Sequence, residues 1–128
     1  MHARRPAETA KQKIMDRCEA LYPKLRYGRP CYACMVAWRV RPADHIHHTI
    51  GRANPITRYY LPNLIPLCAE CHKKIHEGKL TEPISEQQRE HLVRLANKSL
   101  KGICIARGIT EEDYFREQYE KIKENILG

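Results

Sequence analysis

Four cysteines and five histidines in the middle of this chain have the spacing of metal ligands. The cysteines form two Cys-x-x-Cys pairs, and a two-residue spacer lets both sulfurs of a pair reach one ion. Zinc prefers four tetrahedral ligands, and paired cysteines in a reducing compartment favour metal over a disulfide. The sequence therefore predicts one structural Zn²⁺ site formed by Cys31, Cys34, Cys68 and Cys71.

The histidines predict a second metal site. His72 and His76 are four residues apart on a short helix expected over residues 69–77, which places both rings on one face. His47 and His48 are adjacent on a preceding strand, so their side chains point to opposite sides of it. One can bind the ion while the other acts on a water molecule. Hydrolysis of a phosphodiester needs both a metal and a base.

This arrangement resembles the HNH endonucleases, whose core is a ββα-metal fold made of a β-hairpin and a helix. The resemblance covers residues 31–77, and the strings IHHTIGR (46–52) and NLIPLC (63–68) are similar to those of small phage and bacterial members. It implies an α+β fold with a zinc-stabilised core and one catalytic divalent ion. By this resemblance His47, His72 and His76 hold that ion, His48 is the general base, and Asn63 holds the hairpin and orients the base.

Asp44 and His45 offer a second assignment. In the Asp-His version of the motif they would supply the acidic ligand and the base. The pair His47 and His48 is favoured because the family places ligand and base side by side, followed by a glycine–arginine step. Under that assignment Asp44 points to the same side of the strand as His48 and can orient a histidine through its second nitrogen.

Ligand chemistry leaves the catalytic metal open. Three imidazoles suit Zn²⁺, Ni²⁺, Co²⁺ or Mn²⁺ better than Mg²⁺, although HNH enzymes as a group use a single ion and accept Mg²⁺. The resemblance implies water attack on a phosphodiester, with products that carry a 5′ phosphate and a 3′ hydroxyl.

The charge of the chain favours nucleic acid as the partner, and the resemblance implies that this nucleic acid is DNA. The formal net charge is +8, and the first 110 residues carry +11 because acidic residues cluster in the last 18. A segment with this positive charge attracts polyanions. Its binding to nucleic acid should weaken steeply with salt and depend little on base sequence. The side chains best placed to contact phosphates are Arg52, Arg58, Lys73 and Lys74, and Arg4 and Arg5 can add a basic arm.

The elements around the sites follow from hydrophobic periodicity. A helix is expected over residues 9–22, ended by Pro23, and helical segments are expected over residues 85–127 with capping residues at Ser85 and Thr110. Val36, Trp38 and Val40 alternate with polar or small residues, which predicts a strand, with residues 43–49 returning as its hairpin partner. Residues 51–66 read as a long connection. Trp38 is then expected in the core of the hairpin.

The 128 residues suit one domain, residues 1–128, with its core at 31–77. The amino-terminal residues are polar and basic, and no apolar run is long enough to cross a membrane, so we expect a cytoplasmic protein, in the host cytoplasm if phage-encoded. The leading hypothesis is a DNA endonuclease. Two alternatives stay open: a structure-specific junction nuclease acting as a homodimer, and a zinc-stabilised nucleic-acid-binding protein without catalysis.

Overall fold

The computed structural model describes residues 6–128, and side chains from residue 10 onward. Strand β1 pairs antiparallel with β2, His47 lies opposite Ile65, and α4 follows β2. The α+β fold with ββα order is thereby confirmed. Along the chain the elements are α1 (Pro6–Ala20), α2 (Tyr22–Arg26), α3 (Tyr32–Val36), β1 (His45–His48), a 3₁₀ turn (Leu61–Asn63), β2 (Leu64–Leu67), α4 (Ala69–His76), α5 (Glu86–Ala96), α6 (Leu100–Arg107) and α7 (Glu111–Leu127).

Buried residues form two clusters. In the larger one, α1 packs against α7 through side chains such as Cys18 and Phe115. The smaller cluster consists of Ile65 and Leu67 of β2, Ala33 and the four paired cysteines. Because four of its seven buried residues are the paired cysteines, this second cluster has few apolar side chains of its own. Metal binding would therefore contribute directly to the folding free energy of this segment.

The strand predicted over residues 36–40 is wrong. The first cysteine pair starts a short helix, α3, and the chain then turns at Trp38, whose φ of 59° lies in the left-handed region. Val36, Trp38 and Val40 are 72%, 95% and 94% exposed, so Trp38 is not in a hairpin core. The turn that brings two sulfurs together overrides the alternation of apolar residues. The partner of β1 is instead β2, which begins inside the segment expected to be a connection.

Two predicted helix boundaries also need correction. Pro23 does not end the helical segment, because it lies in the first turn of α2. Backbone N–H groups in a first turn have no partner within the helix, so a proline costs no hydrogen bond there. The apolar side chains from Leu92 to Cys104 have the periodicity of one helix, which the sequence predicts there. They belong to two helices, because Ser99 caps α6 by accepting a hydrogen bond from the backbone N–H of Gly102. The capping residues Ser85 and Thr110 are both confirmed as helix N-caps, and each of them forms a capping box.

The segment between β1 and β2 is packed, not loose. Ile56, Thr57 and Tyr59 are buried, and the hydroxyl of Tyr114 on α7 donates a hydrogen bond to the carbonyl of Ile56 at 2.7 Å. Helix α7 therefore fixes the connection that leads into β2. Among residues 6–128 no helix has the length and apolar character needed to cross a bilayer.

Candidate functional site

The four paired cysteines lie together and fit a zinc site. Their sulfurs are all within 4.8 Å of one another, and all four side chains are buried. The Sγ of Cys34 is 3.9 Å from that of Cys68 and 3.7 Å from that of Cys71. Zn–S bonds of about 2.3 Å at tetrahedral angles put neighbouring sulfurs about 3.8 Å apart. The predicted structural Zn²⁺ site is therefore supported by the arrangement of its ligands.

Each cysteine pair starts a helix. The sulfur of Cys31 accepts a hydrogen bond from the backbone N–H of Cys34 at 3.4 Å, and the sulfur of Cys68 accepts one from Cys71 at 3.5 Å. The first cysteine of each pair is thus the N-cap of α3 or α4. These N–H groups face sulfurs that carry negative charge when zinc is bound, so the local fold and the metal favour the same geometry.

Three histidines form a second group of ligand atoms within 4.8 Å of one another: His47, His72 and His76. The Nε2 atoms of His72 and His76 are 3.0 Å apart. Two nitrogens on one ion, each about 2.1 Å from it, are separated by about 3.0–3.4 Å for angles between 90° and 109°. The residues present therefore fit a divalent ion, and the donor set of imidazoles suits a borderline metal.

Strand pairing and helix capping bring these histidines together. His47 is 4% exposed and sits in the middle of β1, with its ring edge-on to the rings of His72 and His76. Helix α4 begins at the second cysteine pair, so the register of His72 and His76 is set by Cys68 as its N-cap. The predicted helix over residues 69–77 is confirmed, and it ends just before Gly78, where φ is 72°.

His48 is half-buried on the other side of β1 and contacts Tyr22 of α2. Its Nε2 is 3.0 Å from the Tyr22 hydroxyl, which donates a hydrogen bond to the carbonyl of Arg58 at 3.1 Å. Because a phenol has one proton, Nε2–H then donates to Tyr22, and Nδ1 keeps its lone pair. Burial, followed by the nearby His47, lowers the pKa of His48 from 6.5 to about 4. The ring is therefore neutral at pH 7.

Asn63 is fully buried and holds the chain that follows β1. Its Oδ1 accepts a hydrogen bond from the backbone N–H of Ile50 at 2.7 Å. Its Nδ2 donates to the carbonyls of Ile50 at 3.1 Å and of Thr57 at 3.0 Å. Both functions of the amide are used, so the side chain ties the end of β1 to the connection and to the start of β2.

Asp44 and His45 lie outside the histidine group. One carboxylate oxygen of Asp44 accepts a hydrogen bond from the backbone N–H of Ala69 at 2.8 Å, which places Asp44 at the start of α4. His45 is exposed, with its ring centroid 5.2 Å from that of His72. Of the histidines of β1, it is His47 whose candidate ligand atom lies with those of His72 and His76.

The basic side chains expected to contact DNA are mostly paired with acidic ones. Arg52 and Arg58 both form ion pairs with Glu19 of α1. Lys74 pairs with Glu70 at 2.9 Å, whereas Lys73 is exposed and has no ion pair with another described residue. A phosphate would therefore have to compete with Glu19 for the two arginines. Arg4 and Arg5 lie outside the described residues.

Sequence reasoning missed three residues at the site. Tyr22 contacts His48, Glu19 pairs with the two arginines, and Glu82 lies 3.1 Å from Nε2 of His47. Each is separated from its partner by at least 26 residues. No local spacing could have indicated these contacts.

Comparison with known proteins agrees with this geometry. Residues 31–78 match the family model described as HNH endonuclease. Anaredoxin of Nostoc sp. (strain PCC 7120 / SAG 25.82 / UTEX 2576) is 37% identical over 54 residues, which cover 38% of this chain and 63% of Anaredoxin. The chain thus spans less than two thirds of that relative's length, and no solved structure matches it. The predicted resemblance is thus confirmed as a match of residues 31–78, the segment that carries both groups of candidate ligands, to the HNH endonuclease family model.

Proposed function

We propose that this protein is a metal-dependent endonuclease that hydrolyses phosphodiester bonds of DNA. The observation that carries the proposal is the convergence of three histidines on one group of ligand atoms, next to a fourth histidine that is neutral at pH 7. A protein that only binds nucleic acid has no need of this combination.

In the proposed reaction His48 is the general base. Its Nδ1 accepts the proton of the attacking water, because Nε2–H donates to Tyr22. Burial of Tyr22 raises its pKa, so the phenol stays protonated and keeps the imidazole in this tautomer. Asn63 keeps the end of β1, and with it His48, in place.

His47, His72 and His76 would hold one divalent ion, with Mg²⁺, Mn²⁺, Ni²⁺ and Zn²⁺ as the candidates. When bound, the ion supplies stabilisation of the negative charge that develops on the phosphate and on the departing 3′ oxygen. Phosphate contacts require no base recognition, so Arg52, Arg58, Lys73 and Lys74 would position the backbone with little dependence on sequence.

The test is plasmid cleavage by the zinc-loaded protein, with each candidate ion or with EDTA. We expect metal-dependent nicking that is lost in His48→Ala and retained in a variant of an exposed surface residue such as Lys101→Ala. If His48→Ala still cleaves the plasmid and His45→Ala does not, the protein is still an endonuclease, but the general base is His45.

A protein that shifts DNA on a gel without cutting any linear, supercoiled or branched substrate would refute the endonuclease. It would favour the zinc-stabilised binding protein instead. Cleavage restricted to branched DNA by a dimer would favour the junction nuclease. Helices α1 and α7 pack against each other within the chain, so a dimer interface would have to use their outer faces. DNA affinity that is equal at low and high salt would contradict the proposed phosphate contacts.

A further inference from the structure

Glu82 lies beyond the HNH segment, on the connection between α4 and α5, and reaches back to the histidine group. Its Oε1 is 3.1 Å from Nε2 of His47. The side chains of His47 and Glu82 are only 5% and 14% exposed, so water competes little for this contact. Arg89 of α5 approaches the other carboxylate oxygen at 3.4 Å. A nearly buried carboxylate next to a histidine of the metal group calls for an explanation.

The contact determines which nitrogen of His47 carries the proton. An ionised carboxylate can only accept a hydrogen bond, so Nε2 of His47 must be the donor. A neutral imidazole then has a bare lone pair on Nδ1. That Nδ1 is buried and has no hydrogen-bond partner among the described residues. A buried acceptor without a donor is costly unless a cation or another donor uses its lone pair.

Glu82 does not itself belong to the ligand group. The atoms within 4.8 Å of one another come from His47, His72 and His76, and no carboxylate of residues 10–128 joins them. The effect of Glu82 must therefore pass through the ring of His47.

We propose that Glu82 is a positioning residue for the divalent ion: it accepts the Nε2–H of His47, fixes that tautomer and ring orientation, and leaves Nδ1 to bind the metal. This inference rests on the proposed function, because it assumes that the histidine group binds an ion. A carboxylate behind a histidine ligand raises the basicity of the ring, and losing such a partner typically lowers metal affinity 10–100-fold.

The test measures metal affinity without catalysis. Protein with zinc at the cysteines is titrated with Mn²⁺, and free Mn²⁺ is counted by electron paramagnetic resonance. Mn²⁺ binds weakly to thiolates and will not displace the structural zinc. We expect Glu82→Ala to weaken Mn²⁺ binding 10–100-fold. Glu82→Gln, whose amide oxygen still accepts the hydrogen bond, should fall between Glu82→Ala and the wild type.

The matched control is Glu86→Gln, which removes the same charge from an exposed position four residues away and should stay within twofold of the wild type. Zinc content and circular dichroism establish that each variant is folded. Nitrogen-15 spectra of the Mn²⁺-free protein supply a second measurement: His47 should be protonated at Nε2 in the wild type and should gain the other tautomer in Glu82→Gln.

Folded Glu82 variants that bind Mn²⁺ within twofold of the wild type, with an unchanged tautomer, would overturn the role of Glu82 and leave the proposed enzyme intact. A wild-type protein that binds no Mn²⁺ beyond its structural zinc would instead refute the catalytic metal site itself, and with it this inference.

Discussion

Removing the amide of Asn63 should destabilise the protein by about 3 kcal/mol. The side chain is fully buried and makes three hydrogen bonds, to the N–H of Ile50 and to the carbonyls of Ile50 and Thr57. A buried neutral hydrogen bond contributes about 1 kcal/mol, so three of them account for about 3 kcal/mol. The loss in Asn63→Ala is therefore a large fraction of the roughly 5–15 kcal/mol that stabilises a typical domain.

Urea unfolding at a fixed free zinc concentration measures this loss, because zinc binding itself shifts the apparent stability. Asn63→Asp should be at least as destabilising, since a carboxylate cannot donate to the two carbonyls and would be buried as a charge. The exposed Asn97, whose side chain makes no hydrogen bond to another described residue, supplies the control, and Asn97→Ala should change stability by less than about 0.5 kcal/mol. A loss below about 1 kcal/mol in Asn63→Ala would show that these hydrogen bonds do not hold the connection.

Three further outcomes are expected. Cys31→Ser should lower the zinc content and the melting temperature together. In differential scanning calorimetry, added zinc should stabilise the wild type but not the variant. Equal melting temperatures would show that zinc does not contribute to the stability of the fold. Trp38→Gly should raise the free energy of unfolding, measured in urea, by about 0.5–1 kcal/mol. Glycine adopts the left-handed conformation without strain, and the exposed indole ring makes few contacts that would be lost. A lower free energy of unfolding would show that the ring does contribute packing contacts. Without metal at the histidines, stability should fall as pH drops from 6.5 to about 4. In this pH range His48 binds a proton in the unfolded chain but not in the native state, where it is surrounded by Tyr22, His47, Arg58 and His72. If the urea midpoint falls equally in His48→Gln, other groups cause the loss of stability.

Features set by local spacing were predictable from the sequence. Residues four apart on a helix share a face, so the spacing of His72 and His76 is enough to pair them. Capping boxes are also local, and those at Ser85 and Thr110 are present. The two cysteine pairs were recognisable because a two-residue spacer can bring two sulfurs to one zinc ion.

Strand pairing was not predictable in the same way. Val36, Trp38 and Val40 alternate like a strand, but closure of the first cysteine pair turns the chain into α3 and leaves these side chains exposed. The strand that pairs with β1 is only four residues long and contains Pro66, which hid it within an apparent connection. Tertiary constraints outweighed the local pattern in both places. The contacts of Tyr22, Glu19 and Glu82 depend on the same long-range packing.

Helix α4 joins the two groups of candidate metal ligands. It carries Cys71, His72 and His76 within eight residues and begins at Cys68, so both groups depend on the position of one short element. A helix of this length is not stable alone, and its first turn is secured by the Cys68 sulfur and by the carboxylate of Asp44. Loss of structural zinc would release that turn and move His72 and His76 away from His47. The structural ion would therefore control the affinity of the histidine group although the two sites share no ligand, while the core formed by α1 and α7 would remain.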